Sequence, residues 1–97
     1  MNEKPVAEPD DPPSKALVAK ARADLQRRLS VSADEIELLE FTAMVWPDGS
    51  LGCPRPGMVY TQVERDGVLI RLRAQGRIFQ YHGGSGRDPF LCDQPAG

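Results

Sequence analysis

The chain has 97 residues, which suits one domain and is too short for two. Its 12 Lys and Arg residues are interleaved with 14 Asp and Glu residues, so it lacks the clustered cationic excess with which proteins bind nucleic acid. No run approaches the ~20 apolar residues that span a bilayer, and no signal-like stretch follows Met1. We therefore expect a domain with no membrane span and no nucleic-acid partner, cytoplasmic as written or, alternatively, an exported mature domain whose signal has been removed.

Residues 1–13 combine prolines with acidic residues and contain little apolar material. The prolines are Pro5, Pro9, Pro12 and Pro13, and the acids among them include Glu8, Asp10 and Asp11. This composition favours an extended, solvated chain that supplies no core. We expect a disordered tail over residues 1–13, a single domain over residues 14–92 and a flexible C-terminus over residues 93–97.

An amphipathic helix is predicted after the tail. Ser14 can cap it, and four apolar residues then follow at spacings of three, four and four, which places them on one face. They are Val18, Ala21, Leu25 and Leu29. Ser32 and Glu35 match a capping box, from which we expect a single helical turn that connects the helix to a β-rich run.

Strand-like alternation begins after this turn. Residues 36–46 predict the first strand, and a change of phase at Leu38 predicts a β-bulge there. Residues 58–65 and 68–74 flank Asp66-Gly67, a pair that favours a two-residue hairpin turn. The sequence therefore predicts a hairpin centred on residues 66–67.

The second arm of that hairpin alternates between two faces. Apolar residues from Val68 to Ala74 point one way, while Arg71 and Arg73 point to an open face. Gln75-Gly76 predicts the next turn. A further strand over 78–82, a flexible glycine-rich break over 83–86 and a last apolar run at 90–92 complete the pattern. The fold class predicted is α+β, with one N-terminal amphipathic helix packed on an antiparallel sheet of about four strands.

A loop over residues 46–57 separates two of the predicted strands. Its three prolines and three glycines restrict or permit φ at defined points, so we expect a fixed shape. The candidate binding residues are in or beside this loop: Trp46, Asp48, Ser50, Leu51, Arg55 and Tyr60. In the functional interpretation Leu51 and Arg55 contact a partner. In the structural one Trp46 closes the end of the core and Asp48 makes a turn hydrogen bond.

Several motifs occur together: Trp-Pro-Asp-Gly-Ser-Leu-Gly-Cys-Pro-Arg-Pro-Gly at 46–57, Tyr-Thr-Gln-Val at 60–63, Tyr81-His82 and Cys92. With these motifs the chain resembles a family of small uncharacterised bacterial domains, many of them in exported proteins or lipoproteins. The resemblance covers most of residues 15–92. It implies a common fold and no particular activity, and this chain departs from the exported members by showing no signal or lipobox cysteine.

Cys53 and Cys92 are the two cysteines of the chain. In an oxidising compartment they are a candidate disulfide, worth roughly 4 kcal/mol in the chain-entropy model, and in the cytoplasm the same pair is expected to be reduced. A free Cys53 could instead act as a nucleophile with His82 as base and Asp48 or Asp88 orienting the imidazole. No close pair of ligands suggests a metal, and we predict no metal site and no cofactor.

Three functions are consistent with the sequence. The leading hypothesis is a small noncatalytic binding module that uses the loop, and also the open sheet face with Tyr60, Arg71 and Arg73, to bind an unknown protein or small ligand. A rigid protease-inhibitor loop is an alternative. For an inhibitor, Leu51 fits better than Arg55, because Pro56 follows Arg55 directly. The thiol enzyme is the third, and the sequence leans away from catalysis.

Overall fold

One N-terminal helix precedes an antiparallel sheet in the computed structural model, which describes residues 3–84 and 86–93. The elements in these residues are helix α1 (Pro12–Leu29), a short 3₁₀ helix (Ala33–Glu35) and strands β1 (Glu37–Trp46), β2 (Arg65–Ala74), β3 (Arg77–Gly84) and β4 (Arg87–Cys92). The strands lie in the order β1-β2-β3-β4, each antiparallel to the next. The prediction of an α+β fold is confirmed.

Helix α1 begins earlier than the sequence suggested. Its N-cap is Asp11, whose Oδ2 accepts a hydrogen bond from the backbone N of Ser14 at 3.0 Å. Pro12 and Pro13 occupy the first helical positions, where a missing N–H costs nothing because that group has no partner within the helix. The prediction that Ser14 is the cap was wrong, since Ser14 lies inside the first turn. The helix ends at Leu29, and its C-cap, Ser30, adopts the left-handed conformation.

The core lies between α1 and one face of the sheet. The predicted helix face supplies Val18, Ala21 and Leu25, all buried, while Leu29 packs at the edge. The sheet supplies Leu38, Ile70, Leu72, Ala74 and Tyr81. The alternation predicted for residues 68–74 is therefore correct. In the described residues no helix is both long enough and apolar enough to cross a membrane.

Two local predictions in the sheet are confirmed. The register of β1 against β2 shifts between Leu38 and Glu40, so that Leu39 is the extra residue of a bulge. Gln75 and Gly76 have φ values of 54° and 72° and form the tight turn between β2 and β3. A two-residue hairpin turn of this kind requires positive φ at both positions.

The hairpin predicted at Asp66-Gly67 is wrong. Both residues lie inside β2, where Gly67 pairs with Met44 on one side and with Gly84 on the other. Residues 58–64 form no strand. A Cβ at Gly67 would lie 2.1 Å from the carbonyl oxygen of Gly83, so glycine is present here for close approach and not for a turn.

The glycine-rich segment after residue 82 differs partly from the prediction. Gly83 and Gly84 continue β3, and β4 begins at Arg87. Ser85 of the predicted break, and residues 94–97 of the predicted flexible C-terminus, lie outside the described residues. The disorder predicted for residues 1–13 stays a prediction; Val6 of that segment donates a backbone hydrogen bond to the Leu38 carbonyl at 2.9 Å.

Candidate functional site

The connection between β1 and β2 is the longest in the described chain, and we call residues 47–64 the long loop. It packs on the sheet face opposite α1. Tyr81 points into the helix-facing core, so its neighbour His82 points to the other face, which it shares with its cross-strand partners Leu69 and Phe90. The first half of the loop covers this second face.

Trp46 anchors the start of the long loop. Its indole ring stacks on the imidazole of His82 with ring centroids 4.6 Å apart and an angle of 12° between the planes. The indole Nε1 donates to the carbonyl oxygen of Gly83 at 2.8 Å. Gly52 passes so close to the ring that a Cβ there would lie 2.4 Å from Cζ3 of Trp46. Trp46 therefore closes one end of the second face, and it lies outside the helix–sheet core at whose end the structural interpretation had placed it.

Leu51 fills the space beside this aromatic pair. It is 5% exposed, and its side chain lies against Gly84, where a Cβ would come within 2.8 Å of Cδ2 of Leu51. Leu51 and Gly52 both have positive φ, 55° and 74°, which turns the chain back over the sheet. A buried Leu51 cannot enter the specificity pocket of a protease unless the loop unfolds, so the structure does not favour the inhibitor built on this residue.

His82 is buried beneath the loop, with 2% of its surface exposed. Its Nδ1 donates to the carbonyl oxygen of Leu51 at 2.7 Å, and its Nε2, the acceptor of the neutral ring, faces the side-chain amide of Gln80 at 3.1 Å. Burial lowers the pKa of His82, and the hydrogen bond to Leu51 acts in the opposite direction. The imidazole is therefore neutral at pH 7 and ties the loop to β3.

Cys53 and Cys92 form the predicted disulfide, with their Cα atoms 5.9 Å apart. The bond joins the middle of the long loop to the end of β4. A nucleophilic Cys53 needs a free thiolate, and here its sulfur is bonded to Cys92. The partners of His82 are Leu51 and Gln80, so the structure does not assemble Cys53, His82 and Asp48 into one hydrogen-bonded group.

Asp48 shapes the first turn of the loop. Its Oδ1 accepts from the backbone N of Ser50 at 2.8 Å and from the Ser50 hydroxyl at 2.6 Å. These hydrogen bonds lower the pKa of Asp48. Gly49 donates to the carbonyl oxygen of Thr61 at 2.9 Å, which joins the first part of the loop to its last part. The turn hydrogen bond predicted for Asp48 is present.

Residues 54–59 are all exposed, and we call them the tip. Met58 donates to the carbonyl oxygen of Arg55 at 3.2 Å across Pro56 and Gly57, whose φ is 78°. Proline followed by glycine of positive φ is the signature of a type II turn. The backbone N of Arg55 also donates to the hydroxyl of Tyr60 at 3.0 Å. The tip is thus a fixed turn, and Tyr60 holds it together.

The tip exposes two apolar side chains that were not among the predicted binding residues. Val59 is 94% exposed and Met58 is 60% exposed. Both had been assigned to a predicted strand over 58–65, in which they would have been partly covered. The signal that could have found them is Pro56-Gly57, which favours a turn directly before two apolar residues.

The six predicted binding residues fall into two groups. Trp46, Ser50 and Leu51 are buried, and Asp48 is half-buried, so these four build the loop. Arg55 is exposed at the tip, and Tyr60 is half-buried beneath it. A binding role for any of them stays a prediction.

A family model described as a domain of unknown function, DUF8738, matches residues 18–92. The chain belongs to this family. Neither the search of curated proteins nor that of solved structures found a match. The match confirms the resemblance to a small uncharacterised domain family, while the bacterial and exported context of that resemblance stays a prediction.

The DUF8738 match covers most of the features described so far. It begins at Val18 on the buried face of α1 and ends at Cys92 of the disulfide, so the sheet, the long loop and the tip lie inside it. Residues 3–11, which precede α1, lie outside it.

Proposed function

We propose that this DUF8738 domain is a noncatalytic binding module that presents the tip to a protein partner. The observation that carries the proposal is the 94% exposure of Val59, which lies between the Arg55–Met58 turn and Tyr60, the residue whose hydroxyl holds that turn. Isolated exposed apolar residues are common on protein surfaces. Here Met58 and Val59 are adjacent, and the loop around them is fastened.

The links that hold the loop in one conformation matter because ordering a flexible loop on binding reduces affinity. Three links hold the region around the tip: the Cys53–Cys92 bond, the Gly49–Thr61 hydrogen bond and the Arg55–Tyr60 hydrogen bond. A loop held in one shape before binding loses less conformational entropy in the complex. Val59 adds to this, because a β-branched side chain has few rotamers to lose.

The chemistry of the tip favours a protein surface over a small polar ligand. Met58 adapts to irregular apolar surfaces, and exposed Arg55 beside it supplies a cation and a planar hydrogen-bond donor. Apolar anchors next to an arginine are typical of protein interfaces. A shallow hollow of about 460 Å³ beside the tip, lined by Arg55, Pro56 and Met58 among others, offers space for a partner side chain.

A noncatalytic role is supported by how the reactive groups of the loop are engaged. Cys53 is in a disulfide, and the imidazole of His82 is buried between Leu51 and Gln80. Asp48 accepts two hydrogen bonds from Ser50. Each of these groups has a structural partner in the folded domain.

The test is affinity capture with the oxidised full chain and matched surface variants. The tip variant is Met58→Ser with Val59→Ser, and the control is Val45→Ser, which changes a 61% exposed apolar residue on β1. We expect a protein captured by wild type and by the control to be recovered at least about tenfold less by the tip variant. The same set of proteins at equal recovery from all three baits would overturn the proposal.

A further inference from the structure

Residues 3–9 lie across the edge of β1 in an extended path, and we call them the N-terminal segment. The carboxylate of Glu3 binds the guanidinium of Arg71 through two parallel hydrogen bonds, one of them Nη1 to Oε1 at 3.0 Å. The backbone of Val6 pairs with Leu38. Glu8 forms a second two-point pair with Arg22 of α1, at 3.0 and 3.1 Å.

The segment lies against the apolar edge of β1 and pairs with an arginine near each of its ends, Arg71 through Glu3 and Arg22 through Glu8. Leu39, the extra residue of the β1 bulge, is buried although it lies outside the helix–sheet core. Val6, Ala7 and Pro9 line a shallow hollow together with Leu39. Without the segment, this apolar bulge residue would be at the exposed edge of the sheet.

Arg71 is built to bind a carboxylate. Its Nε donates to Glu40 Oε1 at 2.6 Å, and Glu40 is itself held by the Thr42 hydroxyl at 2.6 Å. This fixes the guanidinium plane and leaves the two terminal nitrogens directed at Glu3. A planar fork held in this way recognises carboxylates in a bidentate manner.

We propose that the surface formed by Leu39, Arg71 and Arg22 is a second binding site, for an extended acidic peptide of a partner protein, and that residues 3–9 occupy it within the same chain. The ligand chemistry follows from the occupant: two carboxylates at the spacing of residues 3 and 8, with a lysine, one proline and two apolar residues between them. Prolines favour an extended chain before binding and so reduce the ordering cost.

The occupant is held weakly enough to be exchanged. Val6 is 46% exposed, and the side chains of Glu3 and Glu8 remain partly in water. Exposed ion pairs contribute little to stability. A tethered segment is nevertheless present at an effective concentration on the order of millimolar, so an external peptide must compete with it.

The test uses the full chain and a synthetic peptide of residues 3–10 with blocked ends. The host variant is Glu3→Gln with Glu8→Gln, which weakens the tethered occupant. We expect the peptide to shift the amide resonances of Leu39 and Arg71 saturably in this host, with an affinity at least fivefold higher than in wild type. A peptide with Gln at both Glu positions should bind at least tenfold more weakly.

Two arginine variants in the same host test whether the peptide binds at Arg71. Arg71→Gln should abolish peptide binding, whereas Arg87→Gln, on β4 at the opposite edge of the sheet, where its guanidinium lies over Phe90, should leave it unchanged. If Arg71→Gln fails to fold, Arg71→Lys, which keeps the charge and loses the fork, should weaken binding at least fivefold. Absence of saturable shifts, equal binding by the Arg71 variants, or a wild-type mass in solution that reports exchange of segments between two copies would overturn the proposal.

Discussion

The indole of Trp46 lies so close to Gly67 that a Cβ at Gly67 would fall 2.5 Å from its Nε1. The same Cβ would lie 2.1 Å from the carbonyl oxygen of Gly83, to which that Nε1 donates. Three strands therefore meet the indole at a position where only glycine fits. This contact, made across the sheet, accounts for glycine inside β2.

Gly67→Ala is expected to destabilise the domain strongly. The added methyl group must displace backbone or the buried indole, neither of which can move cheaply. Overpacking of this kind costs about 1–3 kcal/mol, and the loss of the Trp46–Gly83 hydrogen bond adds to it. Urea unfolding followed by Trp46 fluorescence measures the change.

Gly49→Ala is the matched control for this substitution. A Cβ at Gly49 would meet Thr61 at 3.4–3.6 Å, which is close to an ordinary van der Waals contact. Gly49 does not have a positive φ, so alanine fits its backbone conformation. We expect a change of less than about 1 kcal/mol. Equal losses in the two variants would contradict the close-approach explanation of Gly67.

Reduction of the Cys53–Cys92 bond is expected to lower the free energy of unfolding by about 4 kcal/mol, because it frees a long segment of the denatured chain. The two residues are 39 positions apart, and the bond joins the long loop to the end of β4. Urea unfolding with and without reductant gives the difference, and Cys53→Ser with Cys92→Ser should reproduce the reduced value.

Hydrogen exchange of the reduced protein tests whether the disulfide stabilises only the long loop or also the helix–sheet core. Because both cysteines lie on the face opposite α1, reduction should increase hydrogen exchange in the long loop before it affects α1. Uniform loss of protection across the loop and α1 would mean that the disulfide supports the whole fold and not the loop alone.

The parts of the fold that the sequence predicted are those with local causes. The buried helix face follows from the spacing of Val18, Ala21 and Leu25, and the Gln75-Gly76 turn follows from two adjacent residues that tolerate positive φ. The bulge was visible as a change of phase at Leu38. Each of these signals lies within a few residues of the structure that it specifies.

The parts that the sequence did not predict depend on contacts between distant residues. Asp66-Gly67 carries the same local signal as a true hairpin turn, and what decides its conformation is Trp46 and Gly83, which pack against it from other strands. Residues 58–64 show β-like composition but pair with no strand. Pro56-Gly57 signals the turn before Val59, but the extent of Val59's exposure depends on the absence of a strand partner in the described chain.

Stability should fall as the pH is lowered from 7.5 to 5.5, because of His82. Burial holds its pKa in the folded state below the ordinary value of 6.5, so the unfolded chain binds more protons in this range. The contribution of His82 is fully present above pH 6.5 and is lost as the pH falls from 6.5 towards the lowered pKa. Urea unfolding across this interval measures the slope.

His82→Gln is the control for this pH dependence. Glutamine can still donate to the Leu51 carbonyl but does not titrate. The unfolding free energy of the variant should therefore be lower than that of wild type at pH 7.5 and should change little between pH 7.5 and 5.5. A wild-type slope that survives in His82→Gln would show that another group titrates here. The carboxylates with lowered pKa values, such as Asp48 and Glu40, act only at lower pH.

Tyr81→Phe tests the polar contact between the sheet and α1. The Tyr81 hydroxyl donates to Oδ2 of Asp24 at 2.6 Å, in a fully buried residue. Burial and the carboxylate together raise the pKa of Tyr81. Loss of a hydrogen bond to a charged group should cost about 1.5–3 kcal/mol in urea unfolding at pH 7.

The same substitution should also change the acid limb of the stability curve. Burial acts to raise the pKa of Asp24, but hydrogen bonds from Tyr81 and Arg28 outweigh it and lower the pKa overall. Asp24 therefore adds stability above its unfolded pKa and loses it as the pH falls through the folded one. In Tyr81→Phe the pKa of the Asp24 carboxyl, followed by NMR, should rise, and the loss of stability at acid pH should shrink.

Tyr60→Phe is the control, because it removes a hydroxyl that accepts from Arg55 in the exposed loop. It should leave the pKa of Asp24 unchanged. A shift of the Asp24 pKa in both variants would mean that the hydroxyl of Tyr81 is not its cause.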